Sequence, residues 1–285
     1  MSPAAPSQPA AEKPIGAAEF AALMQSLLPA IPATGALSHI AVAVSGGADS
    51  MALMHLLAPW CREHNIRLSV LSVDHGLRPE AADETAFVMA VAHRLGLPAE
   101  TLSIKIEPGT NLQARARDAR YAALDEWCRA NSVEALALAH HRDDQAETVL
   151  MRLARGSDVW GLAGMKPVSE GLSPKAPFRV RPLLSTPKSR LIATLRALGE
   201  NWIEDPSNEN PAFERVRIRQ NWPAFESLGL DADRLAETAR RLGAAREALQ
   251  ADVDALLRDA CVIDPGGFAR LSAPALLAAP DAVAA

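Results

Sequence analysis

The sequence predicts an α/β fold: a mostly parallel sheet wrapped by helices, followed by a small C-terminal helical domain. Three observations carry this reading. Short apolar runs occur at Ile40–Val44, Leu68–Val73 and Ala135–Ala139; stretches of helical periodicity lie between them; and a glycine loop, Ser45-Gly46-Gly47-Ala48-Asp49-Ser50, directly follows the first run. Strands alternating with helices of ten or more residues imply right-handed crossovers and parallel strands buried on both faces. Ligands of such sheets bind beyond the C-terminal strand ends, where Ser45, Asp74 and His140 fall.

Taken in order, residues 1–17 open with an Ala-, Pro- and Ser-rich segment and are expected to form a disordered tail. Phe20, Leu23, Met24, Leu27 and Leu28 recur at helical spacing, stopped near Pro29 and Pro32. The strand at 40–44 leads through the glycine loop into a helix marked by Met51, Leu53, Met54, Leu56 and Leu57. The second strand ends at Asp74-His75-Gly76; a helix at 81–95, a strand at 100–106, a helix at 112–130 and the strand at 135–139 follow. After Gly156 the alternation weakens, with one further helix expected at 188–198. Leu235, Leu242, Leu249 and Leu256 then mark a helix over 231–257. The expected division is therefore a catalytic domain at 18–222 and a helical domain at 223–285.

Composition narrows the function. Cys61, Cys128 and Cys261 are an odd, widely spaced set without a Cys-x-x-Cys pair, which argues against a disulfide framework or a cysteine-clamped metal and fits a reducing, cytoplasmic setting. No apolar run approaches the roughly 20 residues that cross a bilayer, so no membrane association is expected. The formal charge of −5 hides an asymmetry: residues 151–222 hold twelve Lys/Arg against seven Asp/Glu, a net +5. Such a stretch can hold a polyanion that the whole-chain average would not predict.

Two motifs carry chemistry. Adjacent glycines after a strand let successive N–H groups approach an anion, while the following helix points the positive end of its dipole at the same place. Ser45 and Ser50 add hydroxyls; Asp49 beside phosphates implies a cation, either Mg²⁺ or an amine. The segment lacks the spacing of the P-loop NTPases and of the dinucleotide folds. The second motif is His140-His141-Arg142-Asp143-Asp144-Gln145-Ala146-Glu147-Thr148. In a continuous helix His140, Asp144 and Glu147 would share one face, an arrangement also open to a metal-site reading.

Ser-Gly-Gly-x-Asp-Ser resembles the pyrophosphate loop of the N-type ATP pyrophosphatases, the PP-loop superfamily, which implies an adenine nucleotide α-hydrolase-like fold. Within it, the His140–Thr148 stretch continued by Arg155-Gly156-Ser157 resembles the tRNA(Ile)-lysidine synthases. So do Val73-Asp74-His75-Gly76-Leu77-Arg78, Asn111-Leu112 with Ala116-Arg117 and Arg120-Tyr121, Arg181-Pro182-Leu183-Leu184, Trp202–Asn208, and Arg215-x-Arg217-Ile218-Arg219. The resemblance covers residues 38–223. It implies a carbon–nitrogen ligase that uses ATP and Mg²⁺ to adenylate the wobble cytidine of the CAU-anticodon isoleucine tRNA and then joins free L-lysine to it. ATP would meet Ser45, Gly46, Gly47, Ala48, Asp49, Ser50, Asp74 and His75, with Ala43 near the adenosine and Asp49 holding Mg²⁺ through the phosphates. Lysine would meet Asp144 and Glu147 at its ammonium groups and Arg120, with Arg117, at its carboxylate. Glu147 or His140 would take the amine's proton. Arg152, Arg155, Arg181, Arg215, Arg217 and Arg219 would contact tRNA.

Val216 stands where the family usually carries Asn. Longer members have a further tRNA-contacting domain, and the chain is compatible with a homodimer. The rival readings are a tRNA thiolase, which the unpaired cysteines disfavour, and a non-catalytic nucleotide- or RNA-binding module, which has no need of Asp49, Asp144 and Glu147.

Overall fold

The computed structural model describes residues 12–31, 37–76, 80–106, 110, 112–171, 176–204, 213–280 and 283. Two compact units form, one from Met1–Asp144 with Pro167–Ala212 and the other from Gln145–Lys166 with Phe213–Ala285.

The first unit holds a six-stranded sheet. Its elements in chain order are α1 (Ala17–Leu27), β1 (His39–Ala43), α2 (Ala48–Glu63), β2 (Arg67–Asp74), α3 (Glu80–Arg94), β3 (Ala99–Ser103), α4 (Leu112–Ala130) and β4 (Ala135–Ala137). Then come the start of α5 (Arg142–Ala154) and, after α6 (Val159–Leu162) of the other unit, β5 (Val168–Ser169), β6 (Phe178–Val180) and α7 (Lys188–Leu198). The spatial order is β3-β2-β1-β4-β6-β5, parallel throughout except for β5. β1 runs with Ile40 beside Leu68 on one side and Ala135 on the other. The chain winds outward from β1 to β3 and then returns through α4 to β4 on β1's other flank, so the winding direction reverses at β1 and opens a crevice beyond its C-terminal end.

Strand alternation divides the core into two layers. Ile40 and Val42 face Phe20, Met24, Met51, Met54, Val88, Leu191 and Leu195. Ala41, Leu71 and Leu136 face Tyr121, Leu124 and Cys128 of α4. The apolar spacing of α1, α2 and α7 is thus the imprint of one face, and that of α4 of the other.

One expectation needs correction, and the compact units follow a different line from the expected division. The tail is ordered from Glu12: Ile15 is buried, its N–H donates to Thr194 Oγ1 (2.9 Å), and Arg190 donates to the Lys13 carbonyl (2.9 Å), while residues 1–11 lie outside the described set. A single apolar Ile inside a polar run was too weak a periodic signal to reveal this. The boundary at 222/223 falls inside the second unit. There Ala146, Val149 and Leu150 of α5 pack on Ala232, Leu235 and Ala239 of α10 (Ala232–Ala260), so an apolar stripe finds a partner about 85 residues away that a linear cut cannot see. α8 (Glu214–Gln220), α9 (Trp222–Ser227), a hairpin of β7 (Cys261–Ile263) and β8 (Ala269–Leu271), and α11 (Ala273–Ala278) complete this unit. Among the described residues no helix is long and apolar enough to cross a membrane.

Candidate active site

The glycine loop sits at the reversal point. Gly46 has φ +88°, a left-handed conformation that side chains disfavour, and its carbonyl accepts the Ile203 N–H (2.9 Å). A Cβ there would lie 2.6 Å from Ile203 Cδ1. Gly47 is extended (φ −71°, ψ 160°) and α2 starts after it with no side chain among the described residues capping its first turn, which leaves helix N–H groups for an anion. Ser50 is buried and shapes the loop: its hydroxyl lies 3.0 Å from the Gly47 carbonyl and 3.1 Å from the Ser45 N–H. Ser45 is exposed, with its Oγ 3.3 Å from that of Ser50.

Asp49, in the first turn of α2, is the hub of the charges. Its Oδ2 lies 3.5 Å from His141 Nε2 and 3.5 Å from Lys188 Nζ, whereas its buried Oδ1 has no hydrogen-bond partner among the described residues. Burial alone would raise the Asp49 carboxyl, but the bond and charge of His141 and then Lys188 hold it below its ordinary value. His141, 2 % exposed, faces Asp144 as well (3.4 Å). Burial would lower its pKa; Asp49, Asp144 and Asp143 outweigh that and raise it. The shifts of Asp49 and His141 therefore both favour an ionised pair.

Local capping explains the placement. The His141 N–H donates to Asp144 Oδ2 (3.1 Å) and the Asp144 N–H points at His141 Nδ1 (3.4 Å), a reciprocal capping box with His in the place of Ser or Thr. Asp143 accepts the Lys188 N–H (3.1 Å) and so caps α7. The N-termini of α2, α5 and α7 are thereby joined by three carboxylates, one imidazole and one ammonium.

Asp49 and Asp144 of the expected set meet through His141. His140 precedes α5, which begins at Arg142, so the helical-face argument fails for it; among the described residues no three His, Cys, Asp or Glu side chains could hold a metal. A cation at Asp49 Oδ1 would thus take its remaining ligands from phosphate oxygens, and the orphaned, buried carboxylate oxygen at an uncapped helix end fits that role. Asp74 closes β2, accepting the Gly76 N–H (2.8 Å) in a tight turn, and His75 follows it half-buried at the same sheet edge. Leu77, Arg78, Asn111 and residues 205–208 lie outside the described residues. Arg117 and Arg120 on α4 lie 5.7 and 5.2 Å from the centroid of the Tyr121 ring.

Glu147 belongs to the second unit and is buried against Arg219 (2.5 Å) and Arg215 (3.6 Å). Arg152 donates to the Gly161 and Gly164 carbonyls, and Arg155 pairs with Glu214. Arg181 is buried in the first unit and donates to Ser169 Oγ (3.1 Å). Much of the basic stretch therefore neutralises or braces its own fold, while Arg217 is exposed and Val216 buried. Arg219→Ala, which leaves the Glu147 carboxylate buried with its better partner gone, should cost about 2–3 kcal/mol, against about 1 kcal/mol for Glu147→Gln, whose arginines can rehydrate. Urea denaturation measures both; equal costs would show that Glu147 is not the desolvated member.

His141, Lys188 and Ile203 were not singled out from the sequence. Lys188 carried a signal, a cation in the first turn of a helix where the dipole disfavours it. Ile203 lay within the Trp202–Asn208 resemblance, but no local feature marked its part in covering Gly46. Cys61 and Cys128 lie in the separate core layers, and burial pushes both thiols up to about 12.

A PP-loop domain model matches residues 18–223. The tRNA(Ile)-lysidine synthase of Ruegeria pomeroyi is 46% identical over 249 residues, 86% of this chain and 58% of the relative. That of a Bradyrhizobium species is 44% identical (80% and 63%), and that of Methylobacterium nodulans 43% identical over 283 residues (96% and 79%). The chain thus spans about three fifths of the length of the first two relatives. Among solved structures, the U34-tRNA thiolase NcsA of Methanococcus maripaludis with its [4Fe-4S] cluster superposes with a TM-score of 0.63 at 20% identity, covering 79% of this chain and 78% of that one, a likeness of fold.

Proposed function

The chain belongs to the PP-loop family and, within it, to the tRNA(Ile)-lysidine synthases, and from that premise we propose that it acts as a carbon–nitrogen ligase on the wobble cytidine of the CAU-anticodon isoleucine tRNA. The observation that carries the reading is Asp49: a half-buried carboxylate with one oxygen held by His141 and Lys188 and the other, buried, without a partner among the described residues, at the start of α2.

The C2 carbonyl of cytosine is a poor electrophile. Its oxygen attacks the α-phosphorus of ATP, the bond to the bridging oxygen breaks, and pyrophosphate leaves. The amine of lysine then attacks C2, loses a proton, and the C–O bond breaks to release AMP. The N–H groups at the start of α2, the exposed Ser45 hydroxyl and the Lys188 ammonium hold the departing pyrophosphate as its charge develops. Asp49 Oδ1 would hold Mg²⁺, which would supply neutralisation of the phosphate charge. Asp74 and His75 flank the adenosine. Asp144 receives the lysine amine, and Arg117 and Arg120, which make no ion pair among the described residues, receive its carboxylate. Asp144, already next to His141, is better supported as proton acceptor than His140 or Glu147.

For the tRNA, the exposed side chains of Arg155 and Arg217 are the surface cations, and the reacting base must leave its stack to reach the nucleotide. A cytoplasmic location follows from that substrate. A sulfur-transfer reading is disfavoured by two thiols that are buried, apart and held protonated.

The test is pyrophosphate release by the full chain with ATP, transcribed CAU-anticodon tRNA and lysine. Release past one equivalent should require both tRNA and lysine. Turnover without tRNA, or none with all three, would overturn the proposal.

A further inference from the structure

The α4 side of the sheet contains a cationic group too organised to be a solvated surface. Arg179 sits on β6 opposite Leu136 and so points, as Leu136 does, into the layer of Tyr121 and Leu124. It is buried, its Nη2 donates to Asp125 Oδ2 at 2.9 Å with both side chains 7 % exposed, and its guanidinium lies 4.2 Å from the Tyr121 centroid. Its buried Nε has no partner among the described residues. Arg120 and Arg117 lie 5.2 and 5.7 Å from the same centroid, and Arg181 follows two residues on. The three guanidiniums that meet the ring share Tyr121 as a common polarisable surface, and among the described residues only Arg179 of the three has a carboxylate partner.

Burying an Arg carries a desolvation cost that pairing offsets only in part, and here one carboxylate and one ring face stand against it. Stacking on an aromatic face suits a planar guanidinium and not an ammonium. Asp125 and Tyr121 are one helical turn apart on α4, so Arg179 engages both at once and fixes the turn from which Arg117 and Arg120 project. We propose that Arg179 is a positioning residue: locked by Asp125 and lying on Tyr121, it holds Arg117 and Arg120 in register to receive the carboxylate of the amino-acid substrate, and so sets selectivity for a free α-carboxylate. This rests on the lysine reading above.

The chain has one tyrosine, which makes the assembly separately observable. In full-length protein carrying 3-fluorotyrosine, a single ¹⁹F resonance should shift when lysine is added with ATP and remain still with lysinamide. Arg179→Lys keeps the charge but not the stacking. It should move the resting resonance and raise the KM for lysine about tenfold with kcat and the KM for ATP within twofold, and the preference for lysine over lysinamide should collapse. Tyr121→Phe keeps the ring face under Arg179 but removes the fluorine reporter, so it is read by kinetics: its KM for lysine should stay within twofold of the parent, and a tenfold rise would overturn the stacking argument even if Arg179→Lys folds poorly. An unchanged lysine KM in Arg179→Lys would overturn the proposal, as would equal losses for lysine and ATP or for kcat, which mark a merely structural residue. A parent protein without lysine-dependent turnover would instead overturn the underlying lysine reading, and a resonance that moves with acetate but not with lysine would replace the carboxylate of an amino acid by a generic anion.

Discussion

Asp49→Asn lowers tRNA- and lysine-dependent pyrophosphate release by about 10²–10³-fold, the loss expected when one preorganised electrostatic element of a phosphoryl-transfer site is removed. The substitution is isosteric, so the loop keeps its shape. His141 retains Asp144 at 3.4 Å, so no buried imidazolium is left without a carboxylate. The thermal midpoint should accordingly move little while turnover collapses. Raising Mg²⁺ should recover less than a tenth of the lost rate, because the neutral amide oxygen is a poor ligand for a hard cation. A variant within threefold of the parent would remove Asp49 from the reaction and leave its pairing with His141 and Lys188 as scaffolding.

Gly46→Ala should cost about 1–3 kcal/mol of stability and most of the activity, since Gly46 adopts φ +88° and an added Cβ meets Ile203 Cδ1 at 2.6 Å. The side-chain end of Ile203 can rotate away, but the backbone conformation cannot be relieved without breaking the 2.9 Å bond from the Ile203 N–H to the Gly46 carbonyl. Gly47 provides the contrast. Its φ of −71° suits any residue and a Cβ there would meet only ordinary contacts, the nearest at 3.8 Å from Ser45 Oγ. Gly47→Ala should therefore unfold like the parent, whatever it does to nucleotide binding. Equal destabilisation of the two variants in urea would show that close packing around the loop, rather than the left-handed turn, demands glycine.

Local patterns made most of the sheet unit legible. Helices α4 and α7 coincide with the expected 112–130 and 188–198, and β1, β2 and β4 fall within one or two residues of the apolar runs that predicted them, because strands buried on both faces must be apolar throughout. β6 escaped notice because its three residues include Arg179, whose charge is tolerated by Asp125 and Tyr121 from a helix about fifty positions earlier. The site divided in the same way. Asp49 and Asp144 stood out as acidic groups beside a phosphate loop, whereas the neighbouring histidines could not be ranked. Only the start of α5 at Arg142 turns His141 inward to both carboxylates.

The sequence by itself determined the order of strands and helices from α1 to β4, the glycine turn that no other residue enters without strain, and the acidic positions beside it, since each of these depends on neighbours within a few residues. Tertiary structure alone decided which charges meet. His141 and Lys188 converge on Asp49, Arg219 on Glu147, and Arg179 on Asp125 and Tyr121, because chain reversal at β1 and the packing of α4 and α5 bring together groups up to about 140 residues apart. A buried charge is stable only with a partner, and long-range packing, not the local pattern, supplies that partner.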